Sequence, residues 1–148
     1  MYLTRPAALL LLVALAAVTG CSSAVTQAPA AGSGAPSATR ISVTLSDALK
    51  IEPAQINVPV GVSVTFVVTN KGTTNHEFFV GSEKAQSDHD KAMSGHVAME
   101  MDEPTGISVK PGATKELTLT FADTTPIVGG CHIPGHYLAG MKATITVQ

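Results

Sequence analysis

Tryptophan is absent from the 148 residues, and two Tyr and four Phe are the only other large aromatics. A core must therefore come from Val, Ile, Leu and Phe, a composition that suits strands. Charge is also sparse: 14% of residues are Asp, Glu, Lys or Arg, and the net charge is -2. That balance leaves no basic footprint for nucleic acid. No G-x-G-x-x-G or P-loop pattern occurs, and no internal repeat, so the common nucleotide-binding signatures are excluded. Two cysteines, Cys21 and Cys131, are too few for a disulfide framework. The longest apolar run, residues 7–18, is too short for a comfortable membrane span.

That run has another use. Arg5 precedes it, and it ends in Val18-Thr19-Gly20-Cys21. Small residues directly before a Cys resemble a bacterial lipobox, which implies cleavage before Cys21 and its lipidation. An ordinary signal peptide with an incidental Cys is the plainer alternative. Residues 1–21 are read as a lipoprotein leader and residues 22–39, rich in Ala, Ser, Gly and Pro and without charge, as a flexible tether. The expected location is outside the cytoplasm, on the outer face of the cell membrane or on the periplasmic side.

From residue 40 the pattern changes. Ile41, Val43 and Leu45 alternate with Ser42, Thr44 and Ser46, which is strand periodicity. Similar runs follow at 55–58, 62–69, 76–80, 107–109, 117–121 and 142–147, with Pro and Gly turn signals between them. Residues 83–93 are rich in helix formers, and Ser82 suits an N-cap. Seven or eight short strands in residues 40–148 predict an all-β Greek-key sandwich with a partly helical insertion at 82–105. No element is assigned to residues 123–130.

The chemistry gathers in Gly130-Cys131-His132-Ile133-Pro134-Gly135-His136-Tyr137-Leu138-Ala139-Gly140-Met141. If Cys21 carries lipid, Cys131 has no disulfide partner and is a free thiol, an inert buried Cys or a metal ligand. The spacing C-x4-H-x4-M, with His76 upstream, offers two imidazoles, a thiolate and a thioether, which is the ligand set of a trigonal copper site with a weak axial contact. Alone, His76 would read as a surface or hydrogen-bonded core histidine. Pro134, Gly135 and Gly140 would let the loop turn tightly.

The loop and the β-rich tail behind it resemble the copper loop of the cupredoxins, and the spacing is most similar to the rusticyanin and auracyanin type. The resemblance covers roughly residues 40–148. It implies one type 1 copper held by His76, Cys131, His136 and Met141, with Cys131 as the thiolate, His76 and His136 completing the plane and Met141 axial. It also implies that His136 lies near the surface where a partner approaches. Two departures stand out. Much of the family follows the first His with Asn or Ser, which steadies the Cys loop; here Glu77 follows, and Asn75 precedes. His132 directly follows Cys131, and since adjacent residues on an extended chain diverge it is expected to point away from the ligand set.

The insertion holds His89, Met93, His96, Met99 and Met101, with six acidic residues against two lysines. Imidazole and thioether favour Cu(I), so an auxiliary copper site is one reading; a covering loop whose Met residues pack on the sandwich is the other. The expected function is one-electron transfer by a monomeric, non-enzymatic copper protein serving a redox partner. The alternative is copper handling, that is, storage, buffering or delivery to another protein. No His-x-His pair supports multicopper catalysis.

Overall fold

A computed structural model describes residues 39–94 and 102–148. The expected leader, the tether through residue 38, Cys21, His96, Met99 and Met101 lie outside the described residues. Nine strands and one helix occur among those described: β1 Thr39–Ser46, β2 Lys50–Glu52, β3 Gln55–Val58, β4 Ser63–Asn70, β5 His76–Gly81, α1 Glu83–Met93, β6 Gly106–Val109, β7 Thr114–Thr120, β8 Ile127–Gly130 and β9 Lys142–Val147. They form two sheets, ordered β2-β1-β4-β7 and β3-β9-β8-β5-β6. β1 runs parallel to β4 and β3 parallel to β9; the other pairs are antiparallel. The chain forms the expected all-β sandwich with a helical insertion.

Alternation explains the sheets. Along β4, Val64, Phe66 and Val68 are fully buried, while the hydroxyls of Ser63, Thr65 and Thr69 meet those of Thr120, Thr118 and Thr114 on β7 at 3.1, 2.9 and 2.8 Å. One face thus feeds the core and the other pairs hydroxyls across the strands. The core joins Val43, Leu45, Phe66, Phe78, Val109 and Ile145 from both sheets.

Strand β5 does not alternate, because both its faces are covered. Phe78 packs edge-on against Phe66 in the core, with centroids 5.4 Å apart. Phe79 stacks on His89 of α1, with centroids 4.0 Å apart. Helix α1 begins where expected, with the Ser82 hydroxyl accepting from the Ala85 N–H at 3.3 Å.

Two strands exceed the sequence expectation. β2 has three residues, too few to show a period. β8 ends in Gly129 and Gly130, a pair that reads as loop but is required by close packing. A Cβ at Gly129 would lie 2.6 Å from the Phe78 ring, and one at Gly130 would lie 2.7 Å from both Gln86 Oε1 and Tyr137.

Candidate metal centre

The site is built where β5 begins and β8 ends. His76 is the first residue of β5. The turn before it is pinned by Asn70, a fully buried amide at the end of β4. Asn70 Nδ2 donates to the carbonyls of Thr74 and Val109 at 2.7 and 2.8 Å, and Asn70 Oδ1 accepts from the Gly72 N–H at 2.8 Å. Every donor and acceptor of this side chain has work inside the fold, which satisfies a polar group that burial would otherwise penalise.

Cys131 follows β8, and its loop closes on itself. The Cys131 N–H donates to the Met141 carbonyl at 3.2 Å, Met141 N–H to His136 O at 3.0 Å and His136 N–H to Ile133 O at 2.9 Å. Gly135 and Gly140 take positive φ values of 87° and 94°, the tight turns their lack of a Cβ permits.

These elements bring His76, Cys131 and His136 together. Their ligand atoms all lie within 4.8 Å of one another. Cys131 Sγ is 3.5 Å from His136 Nδ1 and 4.0 Å from His76 Nδ1. His76, Cys131 and Met141 have no solvent exposure, and His136 is half-buried. Met141 packs in the same core cluster as Cys131. A thiol facing two imidazole nitrogens in a water-poor cleft fits a soft, nitrogen- and sulfur-loving ion, and copper is such an ion.

Burial sets the electrostatics. It pushes the Cys131 thiol from 9.0 up to about 11, a rise resisted by the Glu77 and Ile133 N–H groups and furthered by the Glu77 charge. Burial, and then the neighbouring His76, hold His136 below its usual value, with Asp47 pulling the other way. The metal-free thiol therefore keeps its proton at neutral pH, and a bound metal must displace it.

The raised thiol has a consequence for stability. Unfolded Cys131 ionises near 9.0 and the folded group near 11, so the fold favours the protonated form. That contribution is present in full below pH 9 and is lost as pH rises towards 11. Its size is about 2–3 kcal/mol. Urea unfolding of the metal-free chain across this window should show the loss, and Cys131→Ala should lack this part of the slope.

Around the thiol lies a buried polar layer that the sequence did not reveal. Glu77 is 2% exposed. Its N–H donates to Cys131 Sγ at 3.3 Å, one carboxylate oxygen accepts from the His132 N–H at 3.1 Å, and the other is 2.8 Å from His89 Nε2. Glu77 thus steadies the Cys loop at Cys131 and at His132. His132 diverges from the cluster, as its adjacency to Cys131 predicts. Its ring faces α1, with Nε2 2.7 Å from Gln86 Oε1 and Nδ1 3.2 Å from Asp90 Oδ1, and it stacks on Tyr137 at 4.5 Å. Burial lowers its pKa, with Asp90 pulling upward.

The auxiliary reading of the insertion changes here. His89 is spent on Glu77 and Phe79, and Met93 is 2% exposed. Both serve packing because α1 lies on β5 and has to bury a face. Among the described residues the one grouping of three or more His, Cys, Asp or Glu side chains close enough to share a metal is His76, Cys131 and His136.

The chain is similar to known proteins in sequence and in fold. Residues 38–148 match the copper binding proteins of the plastocyanin/azurin family. The copper-resistant cuproprotein CopI of Pseudomonas aeruginosa is 34% identical over 137 residues, spanning 73% of this chain and 75% of that protein. The protein of the same name from Rubrivivax gelatinosus is 32% identical over 117 residues, spanning 79% and 71%. In fold, the chain is similar to dithionite-reduced auracyanin from Roseiflexus castenholzii, with a TM-score of 0.64 at 24% identity over 75% of this chain and 98% of that one. Auracyanin B gives 0.63 at 22%, over 75% and 89%. Fold, ligand cluster and sequence agree: the chain belongs to the plastocyanin/azurin family of copper binding proteins.

Proposed function

We propose that this chain is an extracytoplasmic protein exchanging single electrons through one type 1 copper held by His76, Cys131, His136 and Met141, and lipid-anchored through Cys21. The observation that carries the reading is the buried Cys131 Sγ with two imidazole Nδ1 atoms at 3.5 and 4.0 Å. Copper bound there would supply a one-electron couple whose potential the axial thioether tunes. The closed loop and the full burial of three ligands favour a site that keeps its geometry. His136 is the half-buried ligand, beside Leu138, which is 86% exposed. A groove of about 280 Å³ lined by Met93, His132, Pro134 and Leu138 runs alongside. Asp90 and Ser94 also line it, and its apolar side chains, Met93, Pro134 and Leu138, suit brief docking of a redox partner.

A second reading, copper handling, is favoured by the copper-resistance names of the two relatives. One experiment separates the two. The copper-loaded chain is followed by voltammetry and, in parallel, mixed with a Cu(I) chelator. A reversible potential with no metal loss over minutes supports the carrier; rapid loss with poor electron exchange supports the handler and sinks the carrier. For the carrier, Leu138→Glu should slow exchange with a small redox protein about tenfold, by placing a desolvated charge on the docking rim. The visible spectrum should not change.

A further inference from the structure

Asp47 lies in the turn after β1, 29 positions from His76, and belongs to no ligand set. Its carboxylate is held by two threonines. Oδ2 accepts from the Thr73 N–H at 2.7 Å and the Thr73 hydroxyl at 2.8 Å; Oδ1 accepts from the Thr74 hydroxyl at 2.9 Å and, more weakly, from the Thr74 N–H at 3.4 Å. Oδ1 also lies 3.0 Å from His76 Nε2. With each oxygen taking a main-chain N–H and a threonine hydroxyl, the carboxylate is placed as an acceptor.

The backbone is shaped for this contact. A Cβ on Gly72 would sit 2.1 Å from Asp47 Oδ1 and 3.0 Å from His76 Nε2. Glycine is what lets the carboxylate reach a fully buried imidazole. The two nitrogens of His76 are thereby divided: Nε2 faces Asp47, and Nδ1 faces the ligand cleft. Facing this acceptor, Nε2 carries the proton, which leaves the Nδ1 lone pair free for a metal. His136 has no matching arrangement: among the described residues its Nε2 makes no hydrogen bond, and its Nδ1 lies against Cys131 Sγ.

We propose that Asp47 is a positioning residue that fixes the tautomer of His76 and, through its negative charge, biases the centre towards the oxidised metal. An anionic partner makes a ligand imidazole more basic than a carbonyl or water would, and the more basic ligand favours the ion of higher charge. The proposal rests on the copper reading above and adds to it a residue outside the ligand loop.

The test uses the full chain with Asp47→Asn and Gly72→Ala. The first removes the charge and keeps the shape. The second keeps the charge and pushes the carboxylate off His76. In metal-free wild type, long-range nitrogen–proton NMR should find the His76 proton on Nε2, and Gly72→Ala should lose that single tautomer. With copper, both variants should retain the thiolate band. In Asp47→Asn the ratio of Cu(II) to Cu(I) affinity should fall about tenfold, a rise of about 59 mV for one electron. Gly72→Ala should move the same way. A purely structural role would lower the melting temperature of the metal-free variants and leave the potential unmoved. A potential unchanged in both coloured variants, or a wild-type His76 protonated on Nδ1, overturns the proposal. A wild-type chain that shows no thiolate band with copper overturns the copper reading itself, and this proposal with it.

Discussion

Cys131→Ala is expected to abolish the intense visible absorption of the copper-loaded chain while leaving the fold in place. The band requires a thiolate, and Cys131 is the free thiol among the described residues. His76 and His136 would still face one another, with ring centroids 5.2 Å apart, and two imidazoles can still hold Cu(II) weakly. Affinity should fall by more than the ten- to hundredfold that loss of an outer-shell partner costs. The fold should survive because the loop is closed by main-chain bonds among Cys131, Ile133, His136 and Met141, none of which uses the sulfur. The cost that remains is the lost sulfur packing and a Glu77 N–H without its acceptor, about 1–3 kcal/mol. Absorption and paramagnetic resonance, beside a thermal melt of the metal-free variant, check both halves. An undiminished band in Cys131→Ala would mean that the colour arises elsewhere and that the ligand assignment is wrong.

Phe78→Ala should be the most damaging change to the fold itself. Phe78 has no exposure and meets Phe66 edge-on, which in turn meets Phe121 at 6.4 Å. Three of the four Phe residues therefore form one chain of rings through the core. Removing the Phe78 ring leaves a cavity that Gly129, lying against it without a side chain, cannot fill. The expected cost is about 3–5 kcal/mol, against a total of about 5–15 for a typical domain. For a domain of this size the melting temperature should drop by roughly 15 °C. Because His76 and Glu77 precede Phe78 on the same strand, copper binding should weaken in parallel. A drop of only a few degrees would mean that the core collapses around the gap, and that the aromatic chain carries less than its burial suggests.

The parts of this design that were legible in the sequence are those with short range. Cys131, His136 and Met141 lie within eleven positions, so spacing alone proposes them together. Ser82 and the helix formers behind it mark α1 for the same reason. Strands with one face to solvent declare themselves by alternation, as β1 and β9 do. What stayed hidden depends on contacts between distant segments. Glu77 in a strand reads as a solvent-facing charge until α1 covers it and His89 meets it. Asp47 looks like an ordinary turn residue, since nothing local connects it to His76. Asn70 is a turn-like amide whose bonds reach Val109, 39 positions away. Gly129 and Gly130 look like a break because the bulk that excludes a side chain belongs to Phe78, Gln86 and Tyr137. One signal could have been used: Phe78, Phe79 and Val80 form an unbroken apolar run, and such a run asks for a cover on each side.

Strand β9 follows the Cys131 loop in sequence, yet it sits inside its sheet, paired to β3 on one side and β8 on the other. Residues 55–58 must wait for residues 144–147, and the entropy of closing so long a loop is recovered only when they arrive. Until then β8 has β5 alone beside it, Met141 is not yet fixed beside Cys131, and the thiol stands open to oxidants and to stray metal ions. The grouping of His76, Cys131 and His136 is therefore closed only once β9 has paired on both sides.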